Sequence, residues 1–239
     1  MTIDNGMAVV RKVSRATPPG APVRLLSDGS AIRALQLIVF AISVFIASCV
    51  APDTQHQVII SAREQKLAVL DRGNLMAIYP VSTSKFGLGD WPGSSCTPLG
   101  ELEIAEKIGD HAAPGTVFKD RRPTGEIVQP DSPGRDPIVT RILWLRGREQ
   151  QNGNAFARTI YIHGTPEERN IGLPVSYGCI RMRSSDIISL YEIVGRGAQV
   201  TIVDAPLAAV IPGLSPEPQL VGRSSPVAGT APRTGNRGQ

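Results

Sequence analysis

The sequence predicts a mainly β domain with a few short helices, and three observations carry that prediction. From about residue 57, short runs rich in Val, Ile, Leu and Tyr are separated by polar, Gly- or Pro-containing turns, the pattern of strands. A helical apolar repeat occurs near residues 185–194, where Ile187, Leu190, Tyr191 and Val194 fall at i, i+3, i+4 and i+7. Both ends of the chain lack periodicity, which leaves an ordered region of about 150 residues, enough to bury one core.

The elements follow in order. Val58-Ile59-Ile60, Lys66 to Leu70 and Leu75 to Tyr79 read as three strands, and Asp71-Arg72-Gly73-Asn74 between the last two suits a hairpin. Gly87 to Gly100 is dense in Gly, Pro and Ser and reads as an irregular surface loop. Further strands are expected at Glu101–Ala105, Pro137–Leu145 and Thr159–His163. Ser184 or Ser185 is placed to cap the helix, Gly195 or Gly197 to end it, and Ala198 to Val203 to form a final strand. This gives a domain over 57–204, a short linker over 49–56 and a flexible Pro/Gly/Ser-rich tail over 205–239.

The N-terminal segment has a different character. Residues 1–48 carry Arg11, Lys12, Arg15, Arg24 and Arg33 against Asp4 and Asp28, so most of the chain's formal charge of +4 sits there. The rest is nearly neutral, which argues against a polyanion-binding surface and hence against nucleic acid as a partner, despite a pI of 9.2. An uncharged apolar run from Ala34 to Val50 follows the basic residues, the order of a secretory signal. Its end, Ile46-Ala47-Ser48-Cys49, resembles a bacterial lipobox. That resemblance implies cleavage before Cys49 and lipidation of its thiol, and Val50 in the next position implies an outer-membrane anchor on the periplasmic side. An uncleaved signal anchor, or cleavage without lipid, remains the alternative; in each case the body is exported.

The cysteines (Cys49, Cys96, Cys179) and histidines (His56, His111, His163) lack the paired spacing of a metal site and do not form a disulfide framework. One segment places a thiol and an imidazole in a suggestive context: TIYIHGTPEERNIGLPVSYGCIRMRSSDI, residues 159–187. A thiol with a pKa of about 8.5 is mostly protonated at neutral pH, and a nearby imidazole can take its proton. Gly178 before Cys179 allows close backbone approach, and successive N–H groups in such a turn can meet an oxyanion. By residue type alone the structural reading is the favoured one, with Cys179 a buried small hydrophobe and His163 a hydrogen-bonded core residue.

The wider context resolves this ambiguity. His163-Gly164 followed by Ser176-Tyr177-Gly178-Cys179-Ile180-Arg181-Met182 resembles the signature of the L,D-transpeptidase (YkuD-domain) family. The segments 62–67 (AREQKL), 79–84 (YPVSTS), 93–100 (GSSCTPLG), 107–110 (KIGD) and 141–145 (RILWL) resemble blocks of that family in the same order. The resemblance covers about residues 57–203 and implies a YkuD-like β-sandwich with a few short helices. It implies that Cys179 is the nucleophile that attacks the L,D-peptide bond of a tetrapeptide stem of peptidoglycan, forming a thioester with release of D-alanine. His163 would be the general acid/base, Gly164 would orient the imidazole through its carbonyl, and Gly178, Cys179 and Tyr177 would face the oxyanion. Ser176 and Arg181 would shape the turn or contact the stem peptide. No metal or cofactor is implied, and the acyl group would pass to an amine of a second stem or of a protein.

One position departs from the family: many members have His where this chain has Tyr177, which puts secondary interactions there in doubt. Hydrolysis through the same thioester, as in a carboxypeptidase or amidase, and a non-catalytic wall-binding lipoprotein are the competing readings. Among other residues, Cys96 is expected to be a free loop thiol and His56 and His111 to be solvated. Glu167-Glu168-Arg169 reads as a surface turn at a cleft rim, and Trp144 as core or cleft wall.

Overall fold

The computed structural model describes residues 51–215. The expected leader, with Cys49, and the chain beyond residue 215 lie outside the described residues. Ten strands and two α-helices form the described part: β1 (His56–Ser61), β2 (Lys66–Asp71), β3 (Asn74–Pro80), β4 (Gly100–Ile108), β5 (Thr116–Lys119), β6 (Arg122–Ile127), β7 (Ile138–Gly147), β8 (Tyr161–Gly164), β9 (Ile180–Met182), α1 (Ser184–Ile193), β10 (Gln199–Val203) and α2 (Leu207–Val210).

The strands hydrogen-bond in the order β3-β2-β1-β10-β4-β7, with β8 and β9 continuing beyond β7. The β5–β6 hairpin branches from the start of β7 through the pairs Val117↔Val139 and Phe118↔Ile138. Two pairings are parallel, β1 with β10 and β8 with β9. Past β3, Ser82 bridges to Arg181 of β9 and Ser84 to Ser176, so the two ends of the path meet. The layers are therefore one curled sheet wrapped around a shared core. Val58, Ile60, Leu67, Leu102, Ile104, Leu143, Ile162, Ile180 and Met182 fill that core, and α1 adds Ile187, Leu190 and Tyr191.

All the expected strands form, and the hairpin between β2 and β3 closes on the pair Asp71↔Asn74. Arg72 (φ 47°) and Gly73 (φ 82°) both take left-handed backbone, the geometry of a two-residue turn matched to strand twist. The β5–β6 hairpin and β9 were not expected. β6 is exposed along its whole length and contains Pro123 and Gly125, so it has no buried alternation to read. β9 is only three residues long.

Three expectations are corrected. The loop 87–100 is irregular but not wholly at the surface, because Cys96 and Thr97 are buried. The cap of α1 is not a serine side chain: Ser184 is the first helical residue, and its N–H donates to Glu168 Oε1 (2.8 Å), a carboxylate brought from the turn at Glu168–Asn170. The Ser184 hydroxyl instead bonds Thr140 (2.8 Å). Finally, the chain does not become a tail at residue 205. β1 and β2 are apolar on both faces, and Leu207, Ile211 and Leu214 cover Ile59, Ala68 and Leu70 on the side away from the main core. The linker is likewise held, since the Asp53 carboxylate accepts the N–H groups of Gln55 (3.0 Å), His56 (3.1 Å) and Gly195 (2.6 Å).

Candidate active site

Period-2 alternation along β8 and β9 sorts their side chains between two environments. Ile160, Ile162, Ile180 and Met182 enter the core. Tyr161, His163, Cys179 and Arg181 take the other face, where Cys179 packs against the buried cluster of Phe118, Ile142 and Tyr161. The parallel register sets Arg181 beside His163, so Cys179, two residues earlier, lies beside Tyr161. The Tyr161 N–H accordingly points at Cys179 Sγ (3.4 Å). Cys179 and His163 are diagonal neighbours, roughly 8 Å apart along the backbone by ordinary strand spacings, which side chains can bridge.

His163 is buried, and its Nδ1 lies 2.8 Å from the carbonyl oxygen of Gly164. A carbonyl only accepts, so Nδ1 carries the proton and Nε2 keeps a lone pair. The glycine in this pair has a steric cause: a Cβ at position 164 would come within 2.7 Å of the Val139 carbonyl oxygen on β7. The orienting role expected of Gly164 thus has a structural counterpart.

The turn before Cys179 is held from inside. Ser176 is fully buried; its hydroxyl donates to the Cys179 carbonyl (2.5 Å) and accepts the Gly178 N–H (3.2 Å). Gly178 has φ 121°, closed to ordinary L residues, and its carbonyl accepts the Thr97 hydroxyl (3.0 Å). Of the two roles expected of Ser176 the turn-shaping one fits, and the expectation for Gly178 changes. Ser176 is a strut of the turn with no free face for substrate, and the Gly178 N–H is taken by that strut instead of facing an oxyanion. Arg181 also differs from a substrate contact: it is buried and paired with Asp136 (2.6 Å) and Glu167 (3.8 Å). Tyr177 is exposed, and its phenol oxygen accepts a bond from Lys85 Nζ (3.0 Å).

Burial dominates the electrostatics. It pushes His163 down from 6.5 to about 4, partly opposed by the Gly164 carbonyl and reinforced by the nearby Arg181 charge. Burial pushes the Cys179 thiol up, and the Tyr161 N–H and the charges of Arg181 and Arg158 offset only part of this. The resting pair is therefore neutral thiol and neutral imidazole. The thiol is turned toward the Thr159 carbonyl (3.5 Å).

Sequence reasoning missed the support beneath this turn. Arg158 donates to the carbonyls of Ser94 and Cys96 (2.7 Å each) and pairs with the fully buried Asp90. Asp90 also accepts the Asn154 N–H (2.7 Å). Arg158 thereby ties the 89–97 loop under Gly178; its only signal in the sequence was a charged residue next to a strand. Trp144 is a wall, stacked on Phe156 (4.0 Å between centroids), with the Arg121 guanidinium 4.6 Å from its ring centre. Cys96 is a free thiol but buried, bonded to the Phe86 carbonyl (3.2 Å). Glu167 and Glu168 are committed to Arg181 and α1. His56 sits against Asp53 (2.9 Å), away from the Cys179 face, and His111 is exposed in left-handed backbone (φ 57°). A cavity of about 440 Å³ beside His56, lined by Arg72, Glu103 and Arg148, includes neither Cys179 nor His163.

Cys179 follows a glycine turn and lies diagonal to His163 on the adjacent parallel strand, whose imidazole is held in one tautomer by the Gly164 carbonyl. The family model of the L,D-transpeptidase catalytic domain (YkuD) matches residues 55–202, and the chain belongs to that family. It is similar to the "Probable L,D-transpeptidase YbiS" of Escherichia coli, 28% identical over 173 residues, covering 67% of this chain and 49% of the relative. It is also similar to the "Probable L,D-transpeptidase ErfK/SrfK" of Salmonella typhimurium, 48% identical over 52 residues, or 22% of this chain and 17% of that one. The chain thus spans about half the length of YbiS and a smaller part of ErfK/SrfK. Among solved structures, L,D-transpeptidase 3 from Mycobacterium tuberculosis aligns over 62% of this chain and 61% of its own, at 17% identity and a TM-score of 0.42.

Proposed function

We propose that this protein is a peptidoglycan L,D-transpeptidase that works through a Cys179 thioester. The observation that carries the reading is the His163 Nδ1–H bond to the Gly164 carbonyl, which leaves Nε2 as a proton acceptor on the face that Cys179 occupies. As the sulfur attacks the carbonyl carbon of a stem's L,D-peptide bond, its proton passes to Nε2. The oxyanion is met by the N–H of Cys179 itself, since that of Gly178 is engaged with Ser176. Collapse breaks the C–N bond, and the imidazolium returns the proton to the departing D-alanine amine. An acceptor amine then attacks the thioester carbonyl and gives its proton to Nε2; the C–S bond breaks as the new C–N bond forms, and the imidazolium returns that proton to the sulfur, restoring the thiol. We further infer, from residues 34–49 alone, export and lipid attachment at Cys49; intact mass of the membrane-bound protein tests this, and an unmodified N-terminus elsewhere refutes it.

The test is incubation of the protein with a disaccharide-tetrapeptide, followed by mass spectrometry. Cross-linked dimer with free D-alanine is the expected product. Tripeptide without dimer would assign the thioester to water, and identical products from the wild type and Cys179→Ala would overturn the enzymatic reading.

A further inference from the structure

The sulfur of Cys179 is flanked by two unlike surfaces. On the strand side stands the apolar cluster of Phe118, Ile142 and Tyr161, against which Cys179 packs. On the turn side the chain following β3 runs beside the nucleophile turn, with the Lys85 N–H donating to the Ser176 carbonyl (3.1 Å) and Ser84 bridged to Ser176. This alignment brings Lys85, Phe86 and Tyr177 together in solvent. Phe86 and Tyr177 are 54% and 61% exposed with ring centres 5.5 Å apart, and the Lys85 ammonium stands 4.3 Å from the Tyr177 centroid and 5.2 Å from that of Phe86.

Two aromatic rings left in water are unfavourable unless something covers them, and rings that hold a cation in place reduce its freedom before any ligand arrives. No carboxylate among the described residues pairs with Lys85, whereas Arg158 and Arg181 beneath the turn are both neutralised by Asp or Glu. The Lys85 ammonium spends one donor on the Tyr177 oxygen and keeps two. Because that oxygen accepts from Lys85, the phenol O–H is free to donate. The ammonium and the phenol therefore form a two-point seat for a carboxylate, two residues from the nucleophile.

We propose that Lys85 and Tyr177, backed by Phe86, form the acceptor subsite, binding a carboxylate on the peptide whose amine resolves the thioester. The inference rests on the transpeptidase reading and adds specificity to its second half-reaction. An acyl transfer between two chains needs a separate place for each. The apolar side on which Cys179 packs suits the acyl donor, and the charged platform suits the partner arriving from the turn side.

The test separates the two half-reactions. Release of D-alanine from a tetrapeptide without acceptor reports acylation. Transfer to a D-amino acid, compared with transfer to the same amino acid as its amide, reports use of the carboxylate. Lys85→Ala should leave acylation unchanged, raise KM for the free-acid acceptor roughly tenfold and leave KM for the amide unchanged. Tyr177→Phe should act in the same direction, Lys85→Glu more strongly, and Lys85→Arg should restore most of the affinity. Equal effects on acid and amide, slowed acylation in Lys85→Ala, or a wild type that acylates but transfers to no amine would each overturn the subsite. Absence of acylation in the wild type would instead overturn the transpeptidase reading itself.

Discussion

The neutral resting state of the Cys179–His163 pair makes a sharp prediction about pH. With His163 at about 4, the imidazole stays roughly 90% unprotonated at pH 5, whereas an ordinary histidine at 6.5 would be only about 3% unprotonated. That is a difference of about thirtyfold in available base. At the other end, a thiol raised above 9.0 holds less than about 1% thiolate at pH 7. The productive form, thiol plus free imidazole, therefore predominates from about pH 5 to beyond 8. Single-turnover release of D-alanine should be flat across that window and fall on the acid side with a midpoint near 4. Alkylation by iodoacetamide, which needs the free thiolate, should instead rise steadily to above pH 9 with no neutral plateau. An acid limb at 6 to 7, or an alkylation plateau between pH 5 and 8, would mean a preformed thiolate–imidazolium pair and would refute the argument from burial.

The remaining predictions concern the frame around the pair. Asp90→Ala leaves the Arg158 guanidinium buried without its carboxylate, which costs about 3–5 kcal/mol. The melting temperature should fall by roughly 6–20 °C in thermal unfolding, and a fall of less than about 2 °C would show that the clamp is dispensable. Gly164→Ala pushes a methyl group into the Val139 carbonyl, an overpacking cost of about 1–3 kcal/mol. Because the strand must shift to accept it, His163 moves, and D-alanine release should drop far more than iodoacetamide labelling of Cys179; equal losses in both would argue against a specific effect on the imidazole.

The strands with continuous or alternating apolar runs were legible because burial on one or both faces leaves a local pattern, as in Val58–Ile60 and Leu67–Leu70. The β5–β6 hairpin was not, since strand β6 is exposed and contains Pro123 and Gly125, which locally spell a turn. The cap of α1 was misread for a related reason. Ser184 has the right side chain in nearly the right place, but Glu168, distant in sequence, supplies the acceptor. The tail was misjudged because Leu207, Ile211 and Leu214 lack partners until β1 and β2 present a second apolar face to them.

What the sequence determined by itself was the mainly β class and the single apolar stripe of α1; the pairing of Cys179 with His163 came only as what the family resemblance implies. These are local signals, carried by side-chain period and by residue types within a few positions of one another. The tertiary structure decided how those residues are placed. It set Cys179 diagonal to His163 through the β8–β9 register and fixed the imidazole tautomer on the Gly164 carbonyl. It also placed Ser176 and Arg181 in the scaffold, the first of the two roles open to them, and left the charge of Lys85 exposed on the rings of Phe86 and Tyr177. Burial and charge compensation depend on neighbours that the chain brings together only by folding, so no local reading of the residues contains them.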